Sequence, residues 1–431
     1  MKLFISIFFG LSMSLTATAQ DNIYPAKANT GIFFIINARI HVGNGTVIEK
    51  GTIKVEKSKI TAVGENIPIP VDDIKVFDAK GQDVYPGLIL PVTDLGLKEI
   101  ALSVRGSNDF LELGDLNPGV RAIVAYNTDS KIINVLKANG ILLACVTPQG
   151  GSISGSSSVV QLDAWNWEDA AYKIDNAIHV NLPSFVAKRS RSGSPPAVDP
   201  TKESLNKIEE IKSFFRQAKA YLETSAPKET NTKFEAVKGL FDKKQKLFVH
   251  GNQVKQILFG IDFAKEFGFE VVVVGGSESF MVADLLKENN IPVILHELHD
   301  LPAMEDDDVD QPYKTPAVLQ KAGVLFALND EHEESRYRNL MFNAGTAAAF
   351  GLTKEQALQA ITLNSAKILG IDDRTGSIEV GKDANIIISK GDILDMKSSI
   401  LTRAFIQGRE VSLENKQTQL YERYMTKYGL K

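Results

Sequence analysis

One cysteine, Cys145, stands in a chain of 431 residues, which excludes an intrachain disulfide. Its distance from the start of the chain also excludes a lipid-modified cysteine at a processed N-terminus. There are only six histidines and two tryptophans, a small stock for an imidazole-rich metal centre. Basic residues are not in excess: 48 Lys and Arg face 53 Asp and Glu, for a formal net charge of -5. With Lys188-Arg189-Ser190-Arg191 the one short basic tract, nucleic acid is not an expected partner. Several familiar motifs fail on inspection. His296-Glu297-Leu298-His299 sets its histidines three apart, where H-E-x-x-H needs four to put both on one helical face. The acidic run Glu305 to Asp310 lacks the glycine and spaced ligands of a calcium loop. Gly150 to Ser158 offers backbone N–H groups, but neither the lysine of a P-loop nor the spacing of a nucleophile elbow, and reads as a turn over the barrel mouth described below.

At 44% hydrophobic and 23% charged, the chain has globular composition and enough length for one large barrel plus a smaller domain. Lys2, the apolar run Leu3 to Leu15 and then Ala17-Thr18-Ala19 describe a signal peptide over residues 1–19, the competing reading being an uncleaved anchor. The expectation is an exported protein, periplasmic or secreted, with no membrane association after cleavage.

Over residues 20–85, period-2 runs such as FFIINARIHV and TIKVEKSKITAVG, punctuated by Gly43-Asn44-Gly45, read as antiparallel strands. A similar run returns over 377–431, and pairing between the two ends would make one β-sandwich. Between them, over 86–376, short apolar runs alternate with amphipathic helices: LFVHG at Leu247, VVVVGG at Val271, IPVIL at Ile291, VLFALND at Val324. That alternation predicts an α/β fold of the (β/α)8 TIM-barrel kind, eight units over about 250 residues. The polar zone 187–233 interrupts it and is expected to pass over one barrel mouth, as a lid or a plain surface insertion.

Pro86-Gly87-Leu88-Ile89-Leu90-Pro91-Val92-Thr93-Asp94 resembles the PGLID-x-H-x-H segment of the amidohydrolase superfamily, and imidazolonepropionase-type members in particular. The closing block extends the resemblance: Gly351-Leu352-Thr353, Gln356-Ala357-Leu358, Thr362-Leu363-Asn364, Gly376-Ser377-Ile378 and Gly381-Lys382-Asp383-Ala384 follow the family's order and spacing. Thr353 and Gln356 also suit a capping box, a role in folding and not in catalysis. The resemblance implies hydrolysis of an amide or related C–N bond by water activated on one or two divalent metals at the strand ends.

The family's ligands are a strand-one histidine pair, sometimes a carboxylated lysine or glutamate on strand four, histidines on strands five and six, and a strand-eight aspartate that is also the base. Here Val92 and Asp94 stand in the strand-one places, and Val274-Gly275-Gly276 ends strand six. His250 matches strand five and Asp330 strand eight; their alternatives are a satisfied structural histidine and a helix N-cap. The reduced set Asp94, His250 and Asp330 suits one divalent metal, zinc or, with two carboxylates, manganese; the alternative is none. Asp330 is the candidate base.

Candidates for substrate binding are His299, or its neighbour His296, and the closely spaced Trp165 and Trp167, for which buried structural aromatics are the competing reading. Asp129 is read as a cap for a helix near Lys131. Two functions remain open. One is a hydrolase acting on a small amide, cyclic amide or peptide with a reduced or lost metal site. The other is an inactive barrel that binds a ligand or serves as homo- or hetero-oligomeric partner of an active relative.

Overall fold

Residues 23–70, 74–99, 110–186, 200–224, 229–296, 298–299, 301, 307–330 and 336–430 are described by a computed structural model. The proposed signal segment and Lys188 to Arg191 lie outside them. Two eight-stranded sheets organise the chain. The first takes strands from both ends: β1 (Ile32–His41), β2 (Val47–Glu56), β3 (Lys59–Gly64), β4 (Lys75–Asp78) and β5 (Asp83–Pro86), joined by three late strands. The second is the barrel sheet: β6 (Leu88–Thr93), β7 (Ile141–Val146), β8 (Ile153–Gln161), β9 (Ala171–Asn181), β10 (Lys246–Gly251), β11 (Val271–Gly275), β12 (Val293–Leu295) and β13 (Phe326–Leu328). The late strands are β14 (Ile386–Ser389), β15 (Leu401–Ile406) and β16 (Arg409–Val411).

β14 pairs antiparallel with β5, Ile386 opposite Pro86, so the C-terminal segment completes the N-terminal sheet. Its core is aromatic and aliphatic: Phe33 stacks on Phe405 at 5.1 Å and meets Phe77 edge-on at 5.3 Å, among Ile35, Ile40, Ile53 and Val84. Each face alone would leave these side chains in water, and burial of a large apolar side chain is worth about 1.5–3 kcal/mol.

Neighbouring strands β6 to β13 follow one another around the barrel. Between β13 and β6, Asn329 Oδ1 accepts from Val92 N at 3.3 Å, and the helix Leu363–Leu369 bonds β13 through Asn364 Nδ2, which donates to Phe326 O at 3.0 Å. β6 to β7 and β9 through β13 are parallel, but β8 runs antiparallel to both its neighbours. This corrects the expected turn at Gly150 to Ser158, because Ile153–Gln161 is the third barrel strand and every residue in it is buried. Its serines are tolerated there because they bond: Ser156 Oγ donates to Asp175 Oδ1 at 2.9 Å and Ser157 Oγ to Asn176 Oδ1 at 3.1 Å.

Part of the zone 187–233 lies outside the described residues. Its described part is dominated by the helix Pro200–Leu222, which buries Ile208, Ile211, Phe214 and Phe215. Phe215 packs against Phe263, Phe267 and Phe269, so this helix covers the outer wall beside Val254–Phe267, while its Lys207 pairs with Asp115 at 2.6 Å. Among the described residues no helix is long and apolar enough to cross a membrane. Thr353 and Gln356 do form the capping box of the helix Lys354–Ala360. The helix Lys131–Ala138 is preceded by Ser130 at its N-cap, so Asp129 does not take that place, and its N–H instead donates to Asn127 Oδ1.

Candidate functional site

Parallel pairing of β9 and β10 sets Phe248 opposite His179 and His250 opposite Asn181. Because side chains alternate between faces, His250 and Asn181 form one layer at the strand ends, with His179 and Phe248 in the layer beneath. His179 is fully buried, meets Phe248 edge-on at 5.1 Å, and shares a 2.8 Å hydrogen bond between its Nδ1 and His250 Nε2. One of these nitrogens carries the proton and the other accepts it.

Burial, reinforced by the neighbouring His296, pushes the His250 imidazole down to about 3. Burial and then His250 push His179 well below the usual imidazole range. Both rings are therefore neutral at pH 7. The family resemblance at a strand end pointed to His250 but not to His179, whose signal was available: in Ala177-Ile178-His179-Val180-Asn181 it lies on the same face as Asn181.

A cavity of about 750 Å³ opens at these strand ends, lined by Asn181, His250, Asn252, His296, Gln149 and Gln311 among others. His296, directly after β12, enters it because β11 ends in glycine. Gly275 has φ +100°, and a Cβ there would lie 2.5 Å from Asn252 Oδ1 and 3.0 Å from His296 Nε2. The glycine at the end of β11 thus leaves space that two other polar side chains use.

Asp94 and Asp330 are buried and do not line this cavity. Tyr337 donates its hydroxyl to Asp94 Oδ1, Gln149 Nε2 donates to Oδ2 at 3.5 Å, and Lys98 Nζ lies 4.0 Å from Oδ2. Asp330 Oδ2 accepts from Asn343 Nδ2 at 2.9 Å, and Arg336 Nε lies 4.0 Å from its Oδ1. Asn343 also accepts from Leu298 N at 3.1 Å, tying the segment after β12 to the strand-eight aspartate. Tyr337 and Asn343 sit in helical sequence with no motif to mark them.

The other candidates fall elsewhere. His299 is exposed, shares a 2.7 Å hydrogen bond with Thr346 and does not line the cavity; its neighbour His296 does. Trp165, 64% exposed, and the partly buried Trp167 follow the antiparallel β8, whose end lies beside the start of β9. Reversal of that one strand puts both indoles at the opposite end of the barrel from His250. No lysine of β9 reaches the mouth: Lys173 points to the far end, donating to Leu369 O and Gly370 O at 3.0 Å each.

A model of the amidohydrolase family matches residues 332–411. The imidazolonepropionase of Shewanella frigidimarina (strain NCIMB 400) is 25% identical over 386 residues, 79% of this chain and 86% of that protein. That of Picrophilus torridus is 24% identical over 423 residues, covering 85% and 95%. A solved amidohydrolase from Thermotoga maritima MSB8 superposes with a TM-score of 0.76 at 28% identity, over 88% of this chain and 99% of that one. The chain is thus similar to amidohydrolases over most of its length.

Within this barrel, the described donor set does not fit a shared metal ion. Among the described residues no three His, Cys, Asp or Glu side chains converge closely enough to hold one. Asp94, His250 and Asp330 are thus not brought together as a ligand set; His250 Nε2 is engaged with His179, and each carboxylate faces a cation of the chain itself. Two unit charges 4 Å apart attract by about 4 kcal/mol at an effective dielectric constant of about 20, before dehydration is counted. A divalent ion would have to displace Lys98 and Arg336 against that attraction.

Proposed function

We propose that this protein is a hydrolase acting on a C–N bond of a small amide, cyclic amide or peptide, with a metal site reduced so far that Asp94, His250 and Asp330 share no ion. What carries the reading is the strand-end cavity, which keeps His250 at the family's strand-five position inside a barrel similar to imidazolonepropionases along most of its length. No step is assigned to a metal. The chain's own groups can bind and orient a ligand through Asn181, Asn252, His296 and the neutral His250. His250 is a weak proton acceptor, held far below the pH of its surroundings by burial and His296. We further propose export to the periplasm or beyond, and the division into a sandwich (20–85 and 377–431) around a barrel (86–376).

One observation favours a second reading, ligand binding without hydrolysis: both carboxylates are already occupied by Tyr337, Lys98, Asn343 and Arg336. The two separate in one experiment. Purified mature protein, before and after incubation with zinc or manganese, is analysed for bound metal and assayed against hydantoins, N-acyl amino acid amides and dipeptides. Turnover that is independent of added metal and falls about 10²-fold or more in His250→Ala supports the hydrolase. Binding without turnover selects the second reading. One tightly bound metal per chain, lost in His250→Ala, would overturn the reduced site.

A further inference from the structure

The helix Lys416–Lys427 forms without burying any of its residues. Its start is fixed by a capping box: the buried Asn415 accepts from Thr418 N through Oδ1 at 3.0 Å, and its own N donates to Thr418 Oγ1 at 2.9 Å. A helix of 12 residues is marginal in water unless an amphipathic face packs against something. Among the described residues this one has no such cover: Tyr421, Tyr424 and Tyr428 are 61%, 52% and 64% exposed.

Helical spacing orders the exposed side chains. Tyr421, Tyr424, Met425 and Tyr428 recur at i, i+3, i+4 and i+7 and make one apolar stripe. Lys416, Arg423 and Lys427, at i, i+7 and i+11, make a second stripe beside it, with Leu420 between the two. Glu422, the one carboxylate of the helix, falls on the opposite flank of the tyrosines. Lys427 joins the stripes: its Nζ lies 5.8 Å from the Tyr424 ring centre and 5.4 Å from that of Tyr428, and the two rings stack at 6.3 Å. Three cations against one carboxylate set this helix apart from a chain whose net charge is -5.

We propose that this helix docks the protein on an anionic lipid surface, lying flat with its tyrosine stripe in the headgroup boundary and its cations among the phosphates. Tyrosine suits that depth, because the ring is apolar while the hydroxyl stays wet. Lysine and arginine reach the headgroups along apolar stems. The cation stripe running the length of the tyrosines favours an anionic surface over an apolar groove. Each basic residue near such a surface strengthens binding about fivefold, and three together about 10²-fold. The contact is peripheral, in keeping with the lack, among the described residues, of a helix able to span a bilayer. It departs from the expectation of no membrane association after cleavage, and it is independent of the chemistry at the barrel mouth.

The test is co-sedimentation of the full mature chain, at low salt, with vesicles of phosphatidylcholine alone and of phosphatidylcholine mixed equally with phosphatidylglycerol. Wild type is expected to pellet with the mixed vesicles only and to be released by high salt. Replacing Lys416, Arg423 and Lys427 together by Gln should weaken binding about 10²-fold. Tyr424→Ser with Tyr428→Ser should weaken it at least about tenfold. Both variants should keep the wild-type melting temperature, because the helix buries no residue. No binding to the mixed vesicles, equal binding to both kinds, or full binding by the triple variant would overturn the proposal. A wild-type dimer in analytical ultracentrifugation that the tyrosine variant separates, without vesicle binding, would assign the face to a second copy and overturn it as well.

Discussion

His41 joins the two halves of the molecule, and its charge state should be measurable as stability. It lies on β1, with Nδ1 2.7 Å from Glu355 Oε1 on the barrel side and Nε2 3.3 Å from Asp83 Oδ1 on β5. The ring stacks on Tyr85, centroids 4.4 Å apart and planes 15° apart. Burial opposes its charge, but hydrogen bonds to the two carboxylates, and their charges, outweigh burial and raise the imidazole to about 9. A group whose folded pKa is raised stabilises the fold fully below its unfolded value near 6.5, and that stability is lost as pH rises through about 9. At 1.36 kcal/mol per tenfold in proton affinity the displacement corresponds to about 3 kcal/mol, which partial solvent access at the pair reduces to about 2. Urea unfolding of wild type and His41→Gln at pH 6 and at pH 9.5 isolates the contribution, since all other titrating groups are common to both. The wild-type advantage should shrink by about 2 kcal/mol at the higher pH. An advantage that is independent of pH, or that grows as pH rises, would refute the argument.

Two further substitutions test the packing that positions the site. Gly275→Ala puts a Cβ against Asn252 and His296 at a backbone φ of +100°; urea unfolding should show a loss of about 1–3 kcal/mol, and ligand affinity should fall with the displaced His296. An unchanged unfolding midpoint would mean that these side chains do not need the space. Phe215→Ala removes a fully buried ring packed on Phe263, Phe267 and Phe269 and should cost about 3–5 kcal/mol by the same measurement. A loss under about 1 kcal/mol would show that the helix Pro200–Leu222 is not docked on the barrel wall.

The second half of the barrel was legible because its chemistry is simple. LFVHG, VVVVGG, IPVIL and VLFALND are continuous apolar runs, as a strand buried on both faces requires, and they coincide with β10 to β13 within a few residues. The first half hides a strand in serines. Hydropathy cannot register that Ser156, Ser157 and Ser158 are satisfied by Asp175 and Asn176 across the next strand, because the partner is known only once β8 and β9 are paired. Its direction was equally hidden: a parallel barrel would need a crossover between the two strands, and only Leu162 to Ala170 are available. At the site, His250 and Asp330 could be read from their strand ends. Tyr337 could not, since it reaches Asp94 from 243 residues away, and Asn343 bonds Asp330 from helical sequence that no motif marks.

The reversed strand also explains why the mouth has the walls it has. In a fully parallel barrel the connection after every strand returns along the outside, and each C-terminal end contributes a loop to the active face. Here the chain leaves β7 at the mouth and re-enters at once as β8, so Thr147 to Ser152 form a short loop held over the opening. That loop supplies Gln149, which reaches Asp94, and Gly151, whose carbonyl takes the Asn181 amide and so turns its oxygen toward the ligand space. The cost is that the next connection, with both tryptophans, moves to the far end. One change of strand direction thus replaces an aromatic loop with a carboxamide-rich wall. The end of β6 follows the same arrangement: Asp94 is bonded by this loop through Gln149 and lies 4.0 Å from Lys98 Nζ.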